Sequence, residues 1–205
     1  MGVFTHWPNR ITAVRFVGAL VLFVLFATTL DRSEEELAEV RGWVHLSFWL
    51  FVLVAATDFL DGYLARRNRH VTAFGRIADP FTDKVLILGA MIFLATLPWS
   101  RHWLPAWMVV VILARELLVT GIRGYVESIG REFPADRFGK LKMIVQCVAV
   151  GALLWLHAFD WPAPWRDAWS ALAHGLVWAT LIATVGSGAS YVAKTGRILS
   201  GGDGS

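Results

Sequence analysis

Six stretches of almost unbroken apolar residues dominate this chain, at 11–30, 44–57, 85–98, 103–119, 143–159 and 169–193. With their flanks, most of them approach the roughly 20 residues that a helix needs to cross the hydrocarbon of a bilayer. None alternates polar and apolar residues as a membrane-barrel strand must. Backbone amides in hydrocarbon have to be satisfied within their own segment, so these runs can span only as helices. The composition agrees, since 56% of the 205 residues are hydrophobic and 17% are charged, which is too apolar for a soluble domain of this length. The expected fold is therefore an all-α integral membrane protein, a bundle of six transmembrane helices. It forms a single domain over residues 1–205, with a short interfacial segment at 1–9 and a flexible tail at 201–205, and no repeat or linker divides it. The first run has a basic front, but it is long for the apolar core of a signal peptide and lacks a small-x-small cleavage site, so it is read as a retained span.

Charge sets the orientation. Fifteen of the nineteen Lys and Arg residues fall on one side of the expected bundle, while 31–42, Arg101 and Arg166 supply the other four. Positive residues favour the cytoplasmic face. Both termini are then expected in the cytoplasm, in a multi-pass protein of the inner (cytoplasmic) membrane. The sequence pI of about 9.4 would suggest nucleic acid in a soluble protein. Here the cations gather on one membrane face, which points to membrane lipids and phosphorylated substrates, not nucleic acid. Trp43, Trp103, Trp107, Trp161, Trp165 and Trp169 fall near the opposite helix ends, where amphipathic rings anchor a protein at the interface. The single cysteine, Cys147, lies in an apolar run and reads as a small buried apolar residue.

The most informative polar residues are Asp58, Asp61, Gly62, Ala65 and Arg66, followed after eight residues by Gly75, Asp79 and Asp83. Asp58 and Asp61 are i and i+3 on a helix continuing from the second run, and Asp79 and Asp83 are i and i+4 at the start of the third. A connection of about a dozen residues lets the two helices lie antiparallel, bringing four carboxylates together near the cytoplasmic boundary. Such a cluster must be protonated, paired with cations or bound to metal. Hard oxygen donors suit Mg²⁺, Mn²⁺ or Ca²⁺, and no Cys or His cluster suggests zinc. Gly62 and Ala65 leave room for a bulky ligand, and Arg66 could pair with its phosphates. A purely structural reading has Asp79 capping the third helix, Pro80 in its first turn, and the other aspartates paired with Arg66, Arg67 and Lys84. Capping by Asp79 is compatible with a functional role as well.

In sequence and spacing these residues resemble the signature of the CDP-alcohol phosphatidyltransferase family, D-x-x-D-G-x-x-A-R, eight residues, then G-x-x-x-D-x-x-x-D, with every defining position present. The resemblance implies a six-helix bundle, commonly a homodimer, with two divalent ions (Mg²⁺ or Mn²⁺) at the cytoplasmic helix ends. It implies that Asp58, Asp61 and Asp79 are metal ligands, that Asp83 borders the metals and is the catalytic base, and that Gly62, Ala65, Arg66 and Gly75 adjoin the CDP moiety. Thr72 is a further nucleotide-contact candidate.

Other stretches narrow the likeness. Pro8, Asn9, Thr12 and Arg15 look like the opening of bacterial phosphatidylglycerophosphate synthases, and Arg115, Glu116, Thr120, Gly121 and Arg123 with Gly139, Lys140 and Lys142 resemble their later blocks. Physically, Glu116, Thr120, Arg123 and Glu127 form a polar stripe at helical spacing. Arg115, Arg123, Lys140 and Lys142 could together receive the phosphate of an acceptor, although such cations also suit lipid headgroups. The expected reaction transfers the phosphatidyl group of CDP-diacylglycerol to glycerol 3-phosphate, releasing CMP. Serine and inositol phosphate are alternative acceptors. A UbiA-like prenyltransferase and a divalent-cation transporter are more distant readings of clustered acids in a helical bundle.

Overall fold

The structure, a computed structural model, describes residues 7–33, 35–68, 73–130 and 137–199; within these, the side chains of 7–9, 58–68, 73–80, 137, 138, 140, 198 and 199 lie outside the description. The described residues form six helices and no strands: α1 (Trp7–Ala27), α2 (Leu37–Asn68), α3 (Ala73–Thr96), α4 (Ala106–Ser128), α5 (Arg137–Ala158) and α6 (Ala163–Leu199). Each apolar run lies mostly within one helix, and α2 to α5 extend well past their runs at the polar end. At about 1.5 Å per residue, α2 with 32 residues and α6 with 37 exceed the roughly 30 Å of a bilayer core.

Local chemistry marks the helix ends. Thr28 and Thr29 turn their hydroxyls back onto the carbonyls of Leu25 and Phe26 at 2.7 and 2.9 Å, satisfying acceptors left over at the end of α1. Before α2, Ser33 and Glu36 form a reciprocal capping box, each backbone N–H reaching the other's side chain at 3.0 and 3.3 Å. The acidic 31–42 loop is thus partly helical. At the end of α4, Gly130 takes a φ of +75° while its N–H bonds the Glu127 carbonyl, the left-handed stop that glycine adopts most easily. The purely structural reading of Asp79 does not hold. α3 begins at Ala73, six residues before Asp79, so Asp79 is not its N-cap and Pro80 lies inside the helix instead of in its first turn.

Packing follows the antiparallel order. α1 packs against both α2 and α3, α5 against α2 and α6, and α4 against α6 and, less extensively, α3. Ala19, Leu22 and Phe26 of α1 meet Phe51 of α2, Ala90 and Leu94 of α3, Ile112 of α4 and Leu153 and Leu154 of α5 in one fully buried core. Close approach depends on glycine in places. A Cβ added at Gly89 would run into the Phe23 ring of α1, and one at Gly18 would come within 2.7 Å of Val54 on α2. Outside this core the surface is itself apolar: Val14, Val17, Val24, Leu53, Val110, Leu117, Ile144 and Ile182 are all exposed. A bundle with a packed apolar interior and an apolar exterior is suited to lipid as its surroundings.

Among the described residues four helices are long and apolar enough to cross a membrane: 10–27 of α1, 37–57 of α2, 141–158 of α5 and 163–197 of α6. α3 and α4 fall short of the six expected for a simple reason. Asp79, Asp83 and Lys84 in the first, and Arg115, Glu116 and Arg123 in the second, interrupt otherwise apolar stretches, and these are the residues expected to carry the chemistry. The ends remote from them carry an aromatic cluster. Trp155, Phe159, Trp161 and Trp169 form a contiguous cluster with ring centroids 4.4–5.9 Å apart, alongside the Arg41–Asp160 ion pair at 3.2 Å.

Candidate functional site

Antiparallel packing brings the start of α1, α3 and α5 to the same end of the bundle as the finish of α2, α4 and α6, and the polar residues collect there. On one side, Arg15 of α1 forms an ion pair with Asp83 of α3. The Arg15 side chain is 3% exposed and that of Asp83 20%, so this is a charge pair largely removed from water. Beside it is a cavity walled by Arg15, Ala55 of α2, Asp83 and Leu86 of α3, and Met143 and Cys147 of α5. Ala55 of α2 and Asp83 and Leu86 of α3 thus line one space bounded by α1 and α5.

Asp58 and Asp61 lie on the last turns of α2 and Asp79 on the second turn of α3, all helical as the spacing requires. Their side chains are outside the described residues, as are those of Ala65 and Arg66 and the surroundings of Gly62 and Gly75. Thr72 lies outside the described residues altogether. Among the described residues no three His, Cys, Asp or Glu side chains come together, because three of the four signature aspartates are not among them. The four signature aspartates would offer carboxylate oxygens, the chemistry that suits a hard divalent ion and not a soft one.

The other side of the site is cationic and is built from α4, α5 and α6. Glu116 of α4 is its hub: its Oε1 accepts from Arg115 at 2.8 Å and also from Lys142 of α5. All three side chains are less than a tenth exposed. Arg115 also donates to the Ser187 hydroxyl of α6. Lys84 of α3 donates to Thr120 Oγ1, whose own hydroxyl proton goes to the Glu116 carbonyl. Arg123 donates to the Tyr191 hydroxyl of α6 at 2.8 Å. Two buried cations, Arg115 and Lys142, thus share the Glu116 carboxylate, while Lys84 reaches α4 at Thr120 and the exposed Arg123 is held by Tyr191. Two buried cations sharing one carboxylate leave a surplus of positive charge that suits an anion.

The structure thus brings Arg115, Arg123 and Lys142 into one cluster, as their spacing suggests. Lys140 is on the first turn of α5, but its side chain is outside the described residues. Glu127, the fourth member of the expected stripe, is exposed. Two residues were missed by reading the sequence, Ser187 and Tyr191. The signal was present: Thr180, Thr184, Ser187 and Tyr191 follow one another at three- and four-residue steps along an apolar helix, and all four are buried.

Comparison with known proteins accords with this geometry. The family model for CDP-alcohol phosphatidyltransferase matches residues 5–186. A CDP-diacylglycerol–glycerol-3-phosphate 3-phosphatidyltransferase of Bacillus subtilis (strain 168) is 34% identical over 194 residues, covering 94% of this chain and 96% of its own. A protein of the same name from Rickettsia prowazekii (strain Madrid E) is 33% identical over 154 residues, 75% of this chain and 77% of its own.

Proposed function

The chain belongs to the CDP-alcohol phosphatidyltransferase family, and from that premise we propose that it transfers the phosphatidyl group of CDP-diacylglycerol to glycerol 3-phosphate, forming phosphatidylglycerophosphate and CMP in phospholipid biosynthesis. Family membership sets aside the prenyltransferase and cation-transporter readings. The observation that carries the choice of acceptor is the surplus of cations around Glu116. Serine offers no phosphate to such a pocket, whereas glycerol 3-phosphate presents a dianion to Arg115, Arg123, Lys140 and Lys142. Inositol phosphate would satisfy the charge equally well. The names of the similar proteins, which specify glycerol 3-phosphate, favour the smaller acceptor.

In this reading Asp58, Asp61, Asp79 and Asp83 would hold Mg²⁺ or Mn²⁺, two ions by the family likeness. When bound, such ions supply charge neutralisation at the diphosphate as CMP departs. Gly62, Ala65, Arg66, Thr72 and Gly75 contact the CDP moiety, as the family likeness implies. The cation cluster binds the acceptor phosphate and turns its free hydroxyl toward the lipid-bearing phosphorus. Asp83 takes the hydroxyl proton as the new P–O bond forms and the bond to CMP breaks, and Arg15 fixes the direction of the Asp83 carboxylate through the ion pair. Acyl chains remain among the apolar helix surfaces. All six helices then cross the bilayer, the charges of α3 and α4 being sheltered within the bundle. Both termini and the site face the cytoplasm, where nucleotide and acceptor are dissolved, and two copies form a homodimer in the inner membrane.

Purified protein given CDP-diacylglycerol and each acceptor separately tests this. CMP and phosphatidylglycerophosphate should form with glycerol 3-phosphate, with little turnover of serine or inositol phosphate. Preferential turnover of either of those two would overturn the assignment.

A further inference from the structure

Tyr191 of α6 joins the two arginines of the cationic side of the site. It is 2% exposed, and it touches both arginines of α4. Its hydroxyl accepts from Arg123, and its ring centroid lies 5.4 Å from the guanidinium carbon of Arg115 and 5.9 Å from that of Arg123. Both distances are within the range at which a cation is drawn to an aromatic ring.

Arg115 and Arg123 are eight residues apart, about 12 Å along a helix axis at 1.5 Å per residue. Two long side chains with that separation have no intrinsic reason to meet, and their like charges oppose it. One buried ring from another helix gives both a common place to rest. α6 makes room for this: a Cβ at Gly188 would come within 3.1 Å of the Arg115 Cγ, and Ser187 accepts from the same guanidinium. The Tyr191 hydroxyl also lies beside α5, since a Cβ at Gly139 would stand 3.9 Å from it, one residue before Lys140. Arg115 is partly neutralised by Glu116, but among the described residues no carboxylate pairs with Arg123. Tyr191 therefore anchors Arg123 through its hydroxyl and Arg115 through its ring.

Resting on the acceptor reading above, we propose that Tyr191 is a positioning residue for the acceptor phosphate, holding Arg115 and Arg123 as a preformed clamp for a phosphate monoester. Preforming two flexible arginines removes ordering entropy from the binding step. The consequence should appear in acceptor binding and not in the lipid substrate or the chemical step. Tyr191 lies beyond the residues 5–186 matched by the family model, so it adds to the family signature and is not part of it.

The test is steady-state kinetics of Tyr191→Phe and Tyr191→Leu in detergent micelles, varying glycerol 3-phosphate and CDP-diacylglycerol in turn. Phe keeps the ring and loses the hydrogen bond; Leu loses both. The KM for glycerol 3-phosphate should rise about tenfold in the Phe variant, in line with the loss of a hydrogen bond to a charged group, and further in the Leu variant. The KM for CDP-diacylglycerol and kcat should stay within about twofold. Thermal protection of the Phe variant by glycerol 3-phosphate, read from tryptophan fluorescence, should weaken in parallel and supplies a second measurement if the Leu variant does not fold. An unchanged acceptor KM in Tyr191→Phe, or an equal rise in both KM values, overturns this inference alone. Wild-type protein that releases no CMP with glycerol 3-phosphate overturns the acceptor reading, and this inference with it.

Discussion

Glu116→Gln isolates the electrostatic centre of the site. Glu116 is flanked by Arg115 at 2.8 Å and by Lys142 from another helix, and all three side chains are less than a tenth exposed. Glutamine preserves the shape and can still accept a hydrogen bond, so what is removed is the charge that two buried cations share. Stranding a buried charge costs about 3–5 kcal/mol, and the retained hydrogen bonding puts this case near about 3 kcal/mol. At about 2–4 °C per kcal/mol for a chain of this size, the unfolding midpoint in detergent should fall by roughly 6–12 °C. Tryptophan fluorescence is a suitable probe, with eleven tryptophans in the chain. Adding Lys142→Met to the same protein should recover a substantial part of the loss, because the two residues are directly coupled. Inorganic phosphate should protect Glu116→Gln more than wild type, since it would replace the missing anion. A midpoint within about 2 °C of wild type, with no recovery in the double variant, would refute the idea that Glu116 neutralises a buried cation pair.

Three further outcomes are expected. Asp83→Asn, nearly isosteric but unable to take a proton, should lower kcat by about 10²–10⁴-fold, the usual contribution of a general base; CMP release near the wild-type rate would remove Asp83 from that role. Chelation by EDTA should abolish CMP release, and added Mg²⁺ or Mn²⁺ should restore it, as four aspartates at this end of the bundle would require; full activity in excess chelator would count against a metal site. Gly89→Val should lower the unfolding midpoint by several degrees and reduce yield in the membrane, since its side chain would collide with the Phe23 ring and overpacking of this kind costs about 1–3 kcal/mol; a wild-type midpoint would show that α1 and α3 can separate freely.

Helix number and order could be read from the sequence because hydrophobic length is a one-dimensional property, and each apolar run indeed became one helix. Helix ends were harder. Asp79 followed by Pro80 has the look of a helix start, yet α3 begins six residues earlier. A proline pair signal is local, whereas the start of a helix is decided by everything it packs against. The aspartate signature was legible because it is contiguous, with spacing that already encodes two helix faces. The Arg15–Asp83 pair was not, since 68 residues separate the partners and the expected partners of the aspartates were nearer in sequence. Tyr191 and Ser187 were passed over for a different reason: uncharged polar residues in a long apolar helix also serve as ordinary packing groups, and only the arrival of α4 arginines against them gives them a role.

The charges that keep α3 and α4 from qualifying as simple membrane spans also explain how the bundle can carry them. Ionised groups at membrane depth are tolerated when they face the bundle interior and are paired, and here pairing runs between helices: Arg15 of α1 to Asp83 of α3, Lys142 of α5 to Glu116 of α4, Arg115 to Ser187 of α6. Each of these contacts ties a helix that is apolar enough to span alone to one that is not. The polar end of the bundle therefore contributes to its assembly as well as to its chemistry. On that account α3 and α4 should depend on α1, α5 and α6 for insertion. Neutralising Arg15 and Lys142 together, as Arg15→Met with Lys142→Met, should leave α1 and α5 in the membrane while making α3 and α4 more accessible to protease in isolated membrane vesicles. An unchanged proteolytic pattern would mean that lipid, and not the cross-helix charge pairing, holds those two helices in place.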